Sequence, residues 1–285
     1  MITYKKALKE ANKILRKNKK ESSAAKLLLL HFSSLSPTDL YLMYEKEMPK
    51  DSYNKFIEAV RLHAEKNIPV QHIMGFVYFY GYKFIVNDKV LIPRFETEEL
   101  VANVLILYDK YFANKDVQLL DVGTGSGCLA ITLQIEESKY IKVFATDISE
   151  EALDVARQNA NNLNASVTFL KGNMLEPVKD KKIDILVSNP PYIPEKEEVD
   201  EIIINNEPHV ALFGGEDGLK FYREILSNAS SILNPQSIIA FEHGYDKAKD
   251  LQLIAKIYFP NAYIYTLKDM QNKDRMTFII NGFSN

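Results

Sequence analysis

The chain has 285 residues, with 35 Lys and Arg against 38 Asp and Glu, 46% hydrophobic and 26% charged residues. That is the length of one large domain plus a small appendage and the composition of a folded globular protein, which excludes intrinsic disorder. The single cysteine, Cys128, excludes an internal disulfide, the five histidines are scattered, and a net charge of −3 argues against a surface built throughout to grip nucleic acid.

No Cys or His cluster has metal-ligand spacing, so no metal is expected. No apolar run approaches the roughly 18 residues of a membrane span, and the Lys-rich start lacks a signal-peptide core, so a cytoplasmic protein is expected. The first 70 residues read as helices. Ile2, Ala7, Leu8, Ala11, Ile14 and Leu15 recur at helical spacing, Ala24 to Leu30 form an apolar block, and Ser36-Pro37-Thr38-Asp39 is a turn and N-cap. From Asp51 another helix runs through Phe56, Ile57, Val60 and Leu62 until Pro69 stops it. Residues 71–92 change character: Phe76 to Phe79 and Tyr82 to Val86 are aromatic and β-branched around Gly81, which predicts a β-hairpin linking two domains.

From Pro93 onward, in a domain expected to span 93–285, strands and helices alternate. Strands are predicted at Val117 to Val122, Ile141 to Thr146, Val167 to Leu170, Ile183 to Val187 and Ser237 to Phe241, and two more near Ala262 to Leu267 and Met276 to Ile280. Helices are predicted at Cys128 to Ile135, Ser149 to Asn162, Gly218 to Leu233 and Tyr245 to Tyr258. Alternating βα units imply an α/β fold with a parallel, doubly wound sheet.

Two loops carry the chemistry. The first, Asp121-Val122-Gly123-Thr124-Gly125-Ser126-Gly127, ends the first large-domain strand, where glycines let a backbone approach a ligand and the next helix offers free N–H groups. A carboxylate beside the loop is a poor neighbour for pyrophosphate and a good one for an ammonium group. Asp147, at the end of the second strand, is placed for ribose hydroxyls. Together these residues resemble the S-adenosylmethionine pocket of Rossmann-like methyltransferases. On that resemblance Asn173 meets the edge of the adenine; Met174 either packs on its face or belongs to the core.

The second loop is Ser188-Asn189-Pro190-Pro191-Tyr192-Ile193. Two prolines have no N–H to donate and fix the backbone, so the loop is stiff and presents carbonyl oxygens. A planar NH2 group fits it. The Asn189 side-chain oxygen and the Pro190 carbonyl can each accept one hydrogen, Tyr192 covers one face, and Pro191 stiffens the turn. Asn189, Pro190 and Tyr192 are therefore the candidate catalytic residues, with Asn189 also next to the cofactor.

Such a loop occurs in methyltransferases acting on adenine N6, guanine N2 and glutamine side chains, so it names an atom type rather than a substrate. Three further segments narrow the choice: Ile92 to Glu98, Glu207 to Leu219, and Lys268-Asp269 with Asp274-Arg275. With the helical N-terminal module they resemble, over nearly the whole chain, the enzymes that methylate glutamine in peptide chain release factors. The resemblance implies a class I methyltransferase fold, S-adenosylmethionine as cofactor, and the N5 nitrogen of a GGQ-loop glutamine as acceptor, held by Asn189 to Tyr192. It places Asp121, Gly123 to Gly127, Asp147, Asn173, Met174 and Asn189 at the cofactor. A ribosomal-protein glutamine and adenine N6 are the alternative acceptors; a monomer without stable nucleic-acid binding is expected.

Three positions depart from the family pattern: Phe95 stands where proline is usual, Asn173 where aspartate is common, and Asp246-Lys247 where glutamine is frequent. Arg94, Glu96 and Glu98 serve either an ion-pair network around the hairpin or the substrate. Residues 1–70 hold 14 Lys and Arg against 8 Asp and Glu, so the near-neutral total hides a basic helical module and an acidic remainder. That basic face either docks an acidic partner or is simply solvated.

Overall fold

The computed structural model describes residues 2–283. In chain order the elements are α1 (Tyr4–Lys17), α2 (Ser23–Ser33), α3 (Pro37–Leu42), α4 (Lys50–Lys66), α5 (Val70–Met74), β1 (Phe76–Phe79), β2 (Tyr82–Ile85), α6 (Phe95–Tyr111), β3 (Val117–Val122), α7 (Cys128–Glu136) and β4 (Ile141–Asp147). There follow α8 (Glu150–Leu163), β5 (Val167–Lys171), β6 (Ile183–Ser188), α9 (Glu201–Ile204), α10 (Lys220–Ile232), β7 (Leu233–Glu242), α11 (Ala248–Tyr258), β8 (Tyr263–Lys268) and β9 (Asp274–Asn281).

These elements form two compact units, one of residues 1–76 with 199–206, the other of 77–198 with 207–285. In the helical unit, α1 buries Tyr4, Ala7, Ala11 and Leu15, a three-four spacing that gathers them on one stripe and leaves Lys5, Lys6, Lys9 and Lys13 exposed. Thr3 caps the helix by accepting from the Lys6 N–H. The stripe packs with Leu28, Leu29, Phe56 and Val60 into a separate apolar core. This unit extends past residue 70 through α5 and takes back a short segment around α9.

The hairpin is integral to the larger unit rather than a free bridge. Phe79 and Phe84 are buried in that unit's core, meeting edge to face. The Glu98 carboxylate accepts from the Tyr80 N–H at the hairpin turn (2.8 Å), which decides for Glu98 between a structural and a substrate role.

The larger unit holds a seven-stranded sheet of order β5-β4-β3-β6-β7-β9-β8. The first five strands in sequence are mutually parallel, as expected, but β9 runs antiparallel between β7 and β8, so the sheet is mixed. The final pair needs no crossover helix, because a short turn joins antiparallel neighbours. Helix α6 was not anticipated from the sequence, although Leu100, Val101, Val104, Leu107 and Tyr108 have helical spacing; all five are buried. Phe95 takes its first helical position, where proline is tolerated because the N–H there has no intrahelical partner. Exchange of the usual proline therefore leaves the helix intact.

The strand order reverses beside β3. From there the chain builds outward through β4 and β5, then returns to the other side with β6, and ligands of open α/β sheets bind beyond the carboxyl ends at such a point. Asp121 pairs in register with Val187, so the loops leaving β3 and β6 emerge side by side. The buried Ser188 hydroxyl ties them by donating to the Val122 carbonyl (2.6 Å).

Candidate active site

A cleft of about 470 Å³ opens at this reversal point. Its lining brings together Gly123, Thr124, Gly125, Ser126, Asp147, Asn173, Met174, Asn189 and Pro191 from four separate strand ends. Four other expected site residues lie outside the lining. Asp121 and Pro190 are buried and do not reach it. Gly127 serves helix packing: at φ +83°, a Cβ there would come within 2.8 Å of Ile131 Cδ1 and 3.1 Å of Ala156 Cβ. Tyr192 is held against the core, with Gly244 beside its ring.

Asp121 is the anchor of the glycine loop. Its Oδ2 accepts from the Thr124 hydroxyl (2.6 Å) and the Ala130 N–H (3.2 Å), while its buried Oδ1 has no hydrogen-bond partner among the described residues. Burial pushes its pKa up to about 7 against those two bonds. Asp147 accepts from the Gly125 N–H through Oδ2 and from the Ser149 N–H through Oδ1, both at 2.9 Å. Each oxygen keeps a second lone pair for a ligand hydroxyl. Burial raises the Asp147 pKa as well.

Asn173 donates its amide to Glu224 Oε1 (2.6 Å), and Glu224 also lines the cleft. A carboxylate is thus present beside the position where the family commonly has aspartate, supplied from α10 instead. Met174 sits at φ +43°, and its carbonyl accepts from Thr146. It lines the cleft and packs partly against the apolar core, so its two sequence readings hold together.

The segment Glu207 to Leu219 locks the Asn189-Pro190-Pro191-Tyr192 loop. The Ile193 N–H donates to the Leu212 carbonyl and the Gly214 N–H to the Ile193 carbonyl. Gly214 and Gly218 are required by proximity: a Cβ on Gly214 would lie 2.4 Å from the Pro191 oxygen, and one on Gly218 2.2 Å from the Tyr192 oxygen. Arg94 pairs with the buried Glu207 carboxylate (2.6 Å), which also accepts from the Ile92 N–H. Arg94 thus serves an ion-pair network and also lines the cleft. Arg275 pairs with buried Asp269 and donates to the His243 carbonyl, holding the end of β7.

Asn159, on α8, escaped the sequence reading because no local motif surrounds it. It exchanges hydrogen bonds with the Ile85 N–H and C=O and donates to the Ser126 carbonyl, coupling the hairpin to the glycine loop. Asn159→Ala strands several buried polar groups, each worth about 1 to 3 kcal/mol. A loss of about 2 to 4 kcal/mol in denaturant unfolding is expected.

Comparison with known proteins accords with this arrangement. Residues 100–236 match the Methyltransferase small domain family and residues 6–75 the PrmC N-terminal domain family. A release factor glutamine methyltransferase of Bacillus subtilis (strain 168) is 42% identical over 283 residues, with 96% of each chain covered. Another, of Staphylococcus aureus (strain NCTC 8325 / PS 47), is 37% identical over 282 residues, covering 97% of this chain and 98% of its own. The chain belongs to the release factor glutamine methyltransferase family.

Its fold recurs in a solved structure of low sequence identity. A methyltransferase from Pyrococcus furiosus aligns with a TM-score of 0.51 at 23% identity, over 72% of this chain and 90% of that one. Membership of the family makes the chain a methyltransferase, as its two loops imply, and bears out the Rossmann-like methyltransferase fold that the resemblance implies. No helix among the described residues is long and apolar enough to cross a membrane.

Proposed function

We propose that the protein transfers a methyl group from S-adenosylmethionine to the N5 amide nitrogen of the GGQ glutamine of peptide chain release factors, acting as a cytoplasmic monomer. The observation that carries this reading is one cleft shared by the β3 glycine loop and the β6 Asn-Pro-Pro-Tyr loop, in a chain alike along nearly its full length to enzymes of that name.

The cleft residues suit the cofactor. The free lone pairs of Asp147 fit ribose hydroxyls and Asn173 with Glu224 fits the amino edge of adenine, while Asp121, buried outside the lining, suits a cationic ligand through its charge. When bound, S-adenosylmethionine supplies an electrophilic methyl group on a sulfonium. Binding should respond to Asp121. Its ionised form attracts a cation and its protonated form does not, so titration calorimetry is expected to show affinity tightening as pH rises through about 7.

The protein's own work is positioning. A glutamine amide nitrogen is a weak nucleophile because its lone pair is delocalised. Asn189 Oδ1 and the Pro190 carbonyl accept the two amide hydrogens and hold the nitrogen in line, Tyr192 excludes water from one side, and the two prolines keep the acceptors from relaxing. Alignment of this kind can remove about 7 to 11 kcal/mol of a barrier. The methylated nitrogen is acidic enough to lose its proton afterwards, so no strong base is needed first. The exposed lysines of α1 give the helical unit a basic face suited to an acidic partner.

The acceptor class is tested by offering methyl-labelled cofactor with purified release factor, ribosomal protein and duplex DNA in parallel. Label in the release factor supports the reading. Label confined to ribosomal protein or DNA overturns it.

A further inference from the structure

Asn189 can hold a substrate NH2 group only if its oxygen, not its own NH2, faces that group. An amide turned end for end would set two donors against each other. What fixes the orientation lies behind the loop. The Asn189 Nδ2 donates to the Thr97 hydroxyl (3.3 Å), and that hydroxyl donates to Glu242 Oε2 (2.6 Å). Thr97 and Glu242 are both nearly fully buried, at 2% and 1% exposure, so water does not compete for the bond between them. Thr97 lines the cleft beside Asn189, whereas Glu242 lies behind it at the end of β7.

A hydroxyl has one proton to give. An ionised Glu242 can only accept, so it claims that proton and leaves the Thr97 oxygen to receive a hydrogen from Asn189. The Asn189 NH2 is thereby turned inward and its Oδ1 outward. A protonated Glu242 can instead donate to Thr97, whose own proton is then free to meet an Asn189 oxygen turned the wrong way. We propose that Glu242, acting through Thr97, is the positioning residue that sets which end of the Asn189 amide faces the substrate. The proposal rests on the reading of Asn189 as acceptor of the substrate amide.

The groups around Glu242 allow it to switch in the neutral range. Burial raises its pKa to about 7, while Thr97, Arg275 and the Asn189 amide pull it back and Glu96 adds to the rise. Arg275 stays charged. Burial pushes Tyr192 and Cys128 up to about 12 and Tyr222 well above its ordinary value, so all three stay protonated near neutrality. Tyr222 donates to the backbone carbonyl of Glu242, not to its carboxylate (2.7 Å).

The test is the pH profile of kcat for release factor methylation, at saturating cofactor and release factor, for the wild type, Glu242→Gln, Thr97→Val, Thr97→Ser and Asn189→Ala. The wild type is expected to lose turnover as pH falls through about 7, because Glu242 takes up its proton there. Glu242→Gln is expected to lose that acid limb and at least about 10-fold in kcat, with KM and cofactor affinity changed by less than about 3-fold. Thr97→Val is expected to lose kcat similarly and Thr97→Ser to restore both kcat and the limb.

If Glu242→Gln does not fold, the Thr97 pair decides. Wild-type kcat in Thr97→Val overturns the proposal, as does a folded Glu242→Gln protein with wild-type kcat and an intact limb. Wild-type turnover in Asn189→Ala sinks the reading of Asn189 itself and the proposal with it. Failure of Asn189→Ala alone, with Glu242→Gln unaffected, removes only the role of Glu242.

Discussion

Asn189→Ala is expected to lower kcat for release factor methylation by about 100- to 1000-fold, the loss typical of removing one preorganised polar group at a reacting centre. Cofactor affinity is expected to change by less than about 5-fold, because Asp147, Asn173 and the glycine loop remain. Steady-state kinetics combined with calorimetry checks both. Asn189→Asp is the sharper variant. It keeps an acceptor of the same shape but sets a second carboxylate next to Thr97, whose one proton is already given to Glu242 (2.6 Å). It is expected to be about as impaired as the alanine variant.

Gly218→Ala is expected to be as damaging by another route. The residue sits at φ +77°, which costs a non-glycine residue about 1 to 2 kcal/mol. A Cβ there would also lie 2.2 Å from the Tyr192 carbonyl oxygen, so the backbone of the substrate-holding loop has to move. Strain of both kinds amounts to about 2 to 5 kcal/mol of stability. Displacing the acceptors by about 1 Å is expected to remove about 100-fold in kcat. Gly81→Ala is the matched control. Gly81 has φ +81° but open space around its Cβ position, so only the conformational loss is expected and turnover should stay near wild type.

How far the site was legible in the sequence depended on how local its signals are. The loops at 121–127 and 188–193 were readable because glycine and proline state their backbone geometry in place, and the short buried strands before them fix where they emerge. Helix α6 has the apolar spacing of a helix but no capping side chain at Arg94 to mark its start, and Thr97 in its first turn is hidden with it. The antiparallel place of β9 was also hidden, since a buried strand has the same composition in either direction.

The supporting shell was least legible. Thr97 and Glu242 are 145 residues apart, Asn159 and Ile85 are 74 apart, and Asn173 and Glu224 are 51 apart. A lone Thr, Glu or Asn carries no local pattern announcing such a partner. Glu242 belongs to no motif of the sequence, and the role proposed for it rests on burial and the direction of two hydrogen bonds. Asp121 shows the complementary case: its position beside the glycine loop was readable, but its burial outside the cleft lining was not.

The most direct measurement is tandem mass spectrometry of a purified release factor after incubation with the protein and S-adenosylmethionine. A single added methyl group on the side-chain nitrogen of the GGQ glutamine, absent when Asn189→Ala replaces the wild type, is the result this account predicts. A methyl group on any other residue, or equal methylation by the Asn189→Ala protein, would contradict it.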